Sequence, residues 1–596
     1  MTDDVLHIAN CSGFYGDRFE AFREQLEGDH PVDVITGDYL AELTMLILWR
    51  GKQKDESTGY AKTFRRQFED AVNLVADRGV KVVVNAGGLN PEGLAEALRD
   101  IVSETGLDLS VTHIEGDDLL NRLDELQEAG HDLTHLDTGD PLSANQMPPL
   151  TANAYLGGWG IAEALSQGAD VVVAPRVTDA SLVVGPAAWK FGWARDDWDA
   201  LAGAVVAGHV LECGAQATGG NYSFFEEVGG LEHPGFPIAE IHPDGSSIIT
   251  KHPGTGGEVS VGTVTAQLLY EIGAPSYLNP DVTTDFTSIQ LDQVGDDRVA
   301  ISGVRGAAPT DQLKVCINTL GGFRNEMTFL LTGLDIEAKS DLVRRTLEDR
   351  LPLDELDEVD WQLVRSDHED ADRNAEAIAH LRLVVKHSDP NRIGRRGFAG
   401  PTVELALASY PGFTMTAPPS DADPFGVYWP ALVPKDVVTE VVIGPGGDRT
   451  EIAQTTGEPS SVAGTTSTPE HVRPDEQVEA GHEDHGETRP APLGRVVGAR
   501  SGDKGGNANV GVWARDDRAF AWMRDLLTVE RFRELVPDAA DLEVQRYELP
   551  NLRALNFVVV GLLGMGVSAS TRIDPQAKGL GEYLRSRVVE IPTDLL

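Results

Sequence analysis

Hydrophobic positions along the first 185 residues switch repeatedly between two periods. Val5 to Ala9 and Val32 to Ile35 are short apolar runs, and between them Phe19, Phe22 and Leu26 recur at the spacing of one helical face. A second cycle follows, with Phe64, Phe68, Ala71, Val72 and Val75 at helical spacing and then the β-branched run Val80 to Val84. Such a run suits a strand covered on both faces. The third helix carries its own end signals: Asn90 as cap, Pro91 in the first turn, the stripe Leu94, Leu98, Ile101 and Val102, and Gly106 as the stop. Leu109 to Ile114 and Ala169 to Ala174 extend the series of strands. The fold class predicted for residues 1–200 is therefore α/β, a doubly wound, mainly parallel sheet.

The pattern changes over 201–447, which reads as α+β: short strands at Ile238 to Ile241, Ser247 to Lys251 and Val299 to Val304, with helices near 263–272 and 337–350. From Glu451 to Pro490 there are nine acidic residues, two Arg, no aromatic and no Leu, so 448–490 reads as an acidic disordered linker. Apolar periodicity resumes over 491–596. There, strands are expected near 495–500, 509–514, 542–548 and 555–562 and helices near 518–535 and 577–588, forming a small α+β domain.

Composition narrows the function classes. The 596 residues carry 95 Asp and Glu against 49 Lys and Arg, and the formal charge of −46 disfavours nucleic acid and anionic membranes as partners. Cys11, Cys213 and Cys316 stand far apart with no CxxC, so neither a disulfide framework nor a structural zinc site is encoded, and a reducing cytoplasm fits. The acidic start MTDDVLHIAN does not read as a signal peptide, and the apolar stretch Phe557 to Val567 is about half a membrane span. A cytoplasmic protein is expected, and self-association is left open.

In an open parallel sheet ligands bind beyond the carboxyl ends of the strands. Those positions are polar here: Asn10, Cys11 and Ser12 after the first strand, Asp38 after the second, Asn85, Gly87 and Gly88 after the third, Glu115, Asp117 and Asp118 after the fourth, Arg176 and Asp179 after the fifth. Asp38, Asp117, Asp179 and Cys11 are the catalytic candidates, the carboxylates as acid/base groups or Mg²⁺ ligands and the thiol as a nucleophile. Against each stands a plainer role as cap, turn or core residue. Candidate binding residues are Asn10, Ser12, Asn85, Gly87, Gly88 and Arg176, with Gly219, Gly220 and Asn221 of ATGGNYS, Lys251 of KHPGTGGE, and Arg500, Lys504 and Asn507 of RSGDKGGNANVGVW. Gly-rich turns beside cations can seat an anion, and equally they make hairpins. The sequence has no GxxxxGK[ST], HExxH or GxSxG, and NCSGFYGDR is not GxGxxG.

Taken together, NCSGFYGDR, VITGDYLAELTMLIL, VNAGGLNP, HIEGDDL, APRVTDASLVVGPAAW and ECGAQATGGNYS resemble the acyclic terpene utilisation family, AtuA, over about residues 5–445. RSGDKGGNANVGVW and LPNLRALNF are similar to the ferredoxin-fold domain often joined to it, although the strand order read from the tail is not the usual ferredoxin-like one. The resemblance implies a place in the catabolism of citronellol- or geraniol-type branched acids, handled as CoA thioesters, so CoA is expected as part of the substrate. Three functions follow as alternatives: a hydratase or lyase on such an acyl substrate, a non-catalytic or regulatory partner of the pathway's enzymes, and a nicotinamide-dependent oxidoreductase lacking the usual fingerprint.

Overall fold

A computed structural model describes residues 5–145, 147–455 and 486–596. The core of the expected linker, 456–485, lies outside the described residues. Its flanks are strands: Arg449–Glu451 pairs with Val441–Ile443, and Thr488–Pro492 pairs with Val588–Pro592.

Five parallel strands form the centre of a mixed sheet: Leu6–Asn10, Val34–Gly37, Lys81–Val84, Val171–Val173 and Val111–Glu115, adjacent in that order. The fifth strand in sequence lies between the third and fourth. Both faces of this centre are covered, as its valine-rich strands require. Phe22, Phe64, Phe68, Leu94 and Leu98 pack against Ile35, Val82 and Val84, whereas Ile161, Val183 and Val205 share the core of Ile8, Val34 and Val172 on the other side. The helix Pro91–Thr105 keeps its expected ends, with Gly93 N donating to Asn90 Oδ1 at 3.0 Å and Gly106 left-handed at φ +69°.

The sheet does not stop near residue 200. Pro237–Ile241 pairs antiparallel with the first strand, in the register His7 to Glu240 and Ala9 to Ile238. Ser247–Lys251, Arg298–Ser302 and Gln290–Gly295 continue outward from it. Part of the region 201–447 that reads as α+β is therefore the antiparallel flank of the first sheet. Local pattern cannot reveal this, because pairing depends on partners far away in sequence.

The chain divides into two compact units. One comprises Met1–Asn318, Tyr428–Val567 and Gln576–Leu596. It includes the tail, whose antiparallel sheet runs Val497–Lys504, Asn507–Ala514, Ala554–Val559, Val544–Leu549, with Asp517–Leu526, Val529–Leu535 and Leu580–Ser586 as helices. The other unit is Thr319–Val427 with Ser568–Pro575. In it Ile378–His387 pairs with Phe323–Thr332 and with Glu358–Val364, and the helix Ile336–Arg350 places Val343 and Leu347 in a core with Phe329 and Leu381. Among the described residues no helix is long and apolar enough to cross a membrane.

Candidate functional site

The carboxyl ends of the parallel strands converge on one buried cation. Arg176 Nη1 donates to Asp179 Oδ1 at 2.8 Å and to the Leu40 carbonyl at 3.2 Å, and the guanidinium lies 4.2 Å from the centre of the Tyr155 ring. Asp38 is held beside it: its Oδ1 accepts from Asn85 Nδ2 at 2.6 Å and from Leu40 N at 3.0 Å, while Asn85 Oδ1 accepts from Tyr39 N at 2.8 Å. Burial, followed by the charge of Asp179, pushes the Asp38 carboxyl well above its ordinary range, against the pull of Arg176. Tyr155 extends the set by donating to Glu42 Oε1 at 2.8 Å. Burial would raise Glu42 too, but Lys314 and Arg176 outweigh it and hold that carboxyl at about 2.

A second group of acids meets this one from the helix ends beyond the sheet. Glu212 follows the helix Trp198–Leu211, and Glu271 follows Val261–Leu268 in a left-handed conformation at φ +57°. Burial, then Asp179 and Glu271, raises Glu212 well above the usual carboxylate range. Burial, then Asp503, lifts Glu271 to about 7. His209 Nδ1 lies 2.8 Å from Glu212 Oε1 without hydrogen-bond geometry, and burial with the nearby Lys504 charge lowers the imidazole to about 4.

The tail supplies the third side. Lys504 Nζ donates to the Glu271 carbonyl at 2.8 Å and lies 5.9 Å from the centre of the Tyr277 ring. Its ammonium is lowered by burial, with Lys314 adding to the shift and Glu271, Glu42 and Glu212 opposing it. The RSGDKGG hairpin is therefore not a solvated loop. Asn509 Oδ1 accepts from Glu271 N at 2.8 Å, Asn556 Nδ2 donates to the Gly273 carbonyl at 2.7 Å, and Arg500 stacks 4.3 Å from the Tyr270 ring centre while bonding Gln216. A Cβ on Gly502 would come within 2.4 Å of Tyr270, so this glycine permits the close seating.

The remaining residues expected from sequence fall elsewhere or act locally. Asp117 is buried: its Oδ2 accepts from Asn153 Nδ2 at 2.8 Å and Arg176 N at 3.2 Å, and burial lifts it to about 7. The local turn that follows is made by the neighbouring Asp118, whose Oδ1 accepts from Leu120 N at 2.9 Å. Glu115 faces His113 and Arg449. The strand-end carboxylates thus do not gather as Mg²⁺ ligands; among the described residues, His7, His30 and Glu240 are the one such group brought within ligand distance. Cys11 lies in the core with Phe22 and Phe64, its thiol 3.8 Å from Tyr39 Oη and pushed up to about 12 by burial, so it is protonated at neutral pH. Asn10 and Ser12 shape their own loop, Asn10 Oδ1 accepting from Ser12 N at 2.9 Å and Ser12 Oγ donating to the Phe14 carbonyl at 3.0 Å. A Cβ on Gly87 would meet the Ala174 carbonyl at 2.6 Å and one on Gly88 would meet Leu48 at 2.3 Å, so both serve close packing. Gly219 and Asn221 take the left-handed turn after Gln216, and Gly220 fits against the Ala215 carbonyl. Lys251 is held by the Thr255 carbonyl at 2.8 Å and Asp297 at 3.0 Å. Asn507 donates to Asp137 Oδ1 at 2.8 Å.

A family model described as acyclic terpene utilisation family protein AtuA matches residues 6–443, and a model of the AtuA ferredoxin-like domain matches 491–590. The chain belongs to the AtuA family. No curated protein and no solved structure gives a significant match. Membership implies a part in acyclic terpene utilisation. In this AtuA chain the groups that sequence reasoning does not reach are Glu42, Tyr155, Glu271, Tyr277 and Lys314. Glu42 sits inside a motif that carries the resemblance. Glu271 and Lys314 carry no motif that marks them.

Proposed function

We propose that this AtuA-family chain is an enzyme acting on branched acids or their CoA thioesters by hydration or lyase-type acid/base chemistry. The observation that supports it is the meeting of acids raised by burial with the buried Arg176 and with Lys504 at one place, with atoms left unpartnered there. Arg176 Nε and Glu212 Oε2 are both buried without a hydrogen-bond partner. Buried polar atoms are almost always paired, so a pair of orphans in a charged cluster calls for a ligand or water.

The roles follow from the protonation states. Glu271, at about 7, can take a proton at neutral pH, and Glu212, raised well above the usual carboxylate range by burial, suits the role of proton donor. In hydration, Glu271 accepts the proton of a water whose oxygen bonds to one carbon of the double bond, and the proton of Glu212 goes to the other carbon. The reverse sequence expels water. Arg176 and Lys504 suit the negative charge that develops on a carboxylate or thioester oxygen. Asp38, Asp179 and Asp117 position Arg176 through its side chain and backbone.

A regulatory-partner reading favours a tail separate from the body, whereas Asn509 Oδ1 accepts from Glu271 N and Asn556 Nδ2 donates to the Gly273 carbonyl. For nicotinamide binding, Gly13 is packed against the Cys213 backbone, where a Cβ would lie 2.6 Å away, and the first helix begins only at Ala21.

A thermal-shift screen of CoA, branched acyl-CoAs, the free acids, nicotinamide nucleotides and Mg²⁺ tests the reading, because a ligand of the native state raises the unfolding midpoint. A rise with the branched acids or their CoA esters, lost in Arg176→Met, is expected. A rise with nicotinamide nucleotides alone would overturn the proposal.

A further inference from the structure

The opposite ends of the same strands carry a second cluster, unrelated to the acid/base groups. His7 lies near the start of the first strand, Asp33 immediately precedes the second, and Glu240 is the direct cross-strand partner of His7. His30, in the turn before the second strand, reaches the same spot. One ligand atom each from His7, His30 and Glu240 lie within 4.8 Å of one another. We propose that His7, His30 and Glu240 bind a single divalent ion of the zinc class, with a water completing the fourth position.

The donor chemistry selects the ion. Two imidazoles and one carboxylate form a borderline set that suits Zn²⁺, whereas Mg²⁺ and Ca²⁺ favour all-oxygen sets. The spacing fits as well. His30 Nε2 lies 3.2 Å from Glu240 Oε1, yet it is a buried nitrogen without a hydrogen bond. Two donors at about 2.0–2.1 Å from a tetrahedral ion stand about 3.4 Å apart, so this near approach without a hydrogen bond is what shared ligation looks like.

The surroundings orient the ligands. His7 Nδ1 lies 2.9 Å from Asp33 Oδ2, which fixes the proton on Nδ1 and leaves Nε2 with its lone pair, the carboxylate–histidine arrangement typical behind a metal ligand. Glu240 receives Arg298 Nη1 at 2.7 Å and Nη2 at 2.6 Å, which fixes the orientation of its carboxylate. His30 N donates to His252 Nδ1 at 3.1 Å, fixing the turn that carries the ligand. That contact exists because residue 28 is glycine, where a Cβ would lie 2.2 Å from the His252 ring. An Arg298–Glu240 ion pair by itself would require neither His7 nor His30. The ion would tie the first parallel strand and the turn before the second to the antiparallel flank.

The test uses the full chain, stripped with chelator and titrated with Zn²⁺ by calorimetry and with Co²⁺ by visible absorption. One equivalent bound, an intense tetrahedral Co²⁺ spectrum and a raised unfolding midpoint are expected. His30→Gln removes a nitrogen that makes no hydrogen bond, so it is expected to fold as the parent does and to lose at least tenfold in Zn²⁺ affinity. His7→Asn gives a second, independent loss, and His233→Gln, at the exposed His233–Glu24 pair, leaves binding intact. No binding in the parent chain, or binding unchanged in both His30→Gln and His7→Asn, would overturn the assignment.

Discussion

Replacing Asp117 with Asn separates a buried acid from its pH dependence. The carboxyl is buried between Asn153 and the Arg176 backbone, and burial raises it from 3.8 to about 7. An acid whose folded pKa is raised favours the folded state below its unfolded pKa, and that contribution is lost as pH rises through the folded value. Between pH 5 and 9 the unfolded chain gains the full benefit of ionisation while the native chain begins to ionise only near 7. Integrating the two titrations gives a loss of about 3 kcal/mol for this one group over that interval. Asn cannot ionise. It keeps one acceptor for Arg176 N or Asn153, and the change of partners costs about 1 kcal/mol at every pH. Urea unfolding followed by tryptophan fluorescence at pH 5, 7 and 9 reads both effects. Asp117→Asn is expected to lie close to the parent in stability at pH 5, where the parent has already lost about 1.6 kcal/mol to ionisation of its unfolded state, and to be clearly more stable at pH 9, with the difference moving by about 3 kcal/mol. A difference that stays constant across the range would refute the reasoning, because the carboxyl would then be ionised in the native state throughout.

Two further outcomes follow from the same cluster and its neighbours. Arg176→Met leaves the Leu40 carbonyl and the Asp179 carboxylate without their donor and should cost about 2–3 kcal/mol in urea unfolding; a loss under about 1 kcal/mol would show that the guanidinium is not central to the site. Cys11 and Cys316 are buried thiols pushed up to about 12, so a thiol reagent at pH 8 should leave both unmodified in the native chain and label them only in denaturant, and rapid native labelling of Cys11 would restore it as a nucleophile.

The legible parts of this molecule are those whose signals are local. Pro91–Thr105 can be read because Asn90, Pro91 and Gly106 state both ends within about sixteen residues. The tail strands are legible because each alternates between a turn and a run of apolar positions, and Val497–Lys504 overruns its expected end only where the hairpin continues the ladder to Asn507. The sheet membership of Pro237–Ile241 is illegible for the opposite reason: it looks like any short strand, and only its pairing with Leu6–Asn10 assigns it to the first sheet. The site divides in the same way. Asp38, Asn85, Arg176 and Asp179 are accessible to sequence because parallel strands deliver their ends to one edge, a rule that needs no coordinates. Glu271 and Lys504 meet across 233 residues through the docking of one domain on another, which no local spacing encodes. Cys11 stands where a nucleophile could stand, and only its burial against Tyr39 shows the thiol to be protonated.

In the proposed reaction Glu271 takes the proton of the attacking water while Glu212 protonates a carbon of the branched acyl substrate beside Lys504, so solvent hydrogen enters the substrate only while Glu271 can act as the base. Incubating the protein in D₂O with branched unsaturated acids and their CoA thioesters, and following deuterium in the recovered substrate by mass spectrometry, tests it whatever the product of the reaction. Protein-dependent incorporation is expected, rising with pH through about 7 as Glu271 ionises and reduced by roughly 10²–10⁴-fold in Glu271→Gln. Incorporation that is equally fast in Glu271→Gln, or independent of the protein for every substrate, would contradict the account.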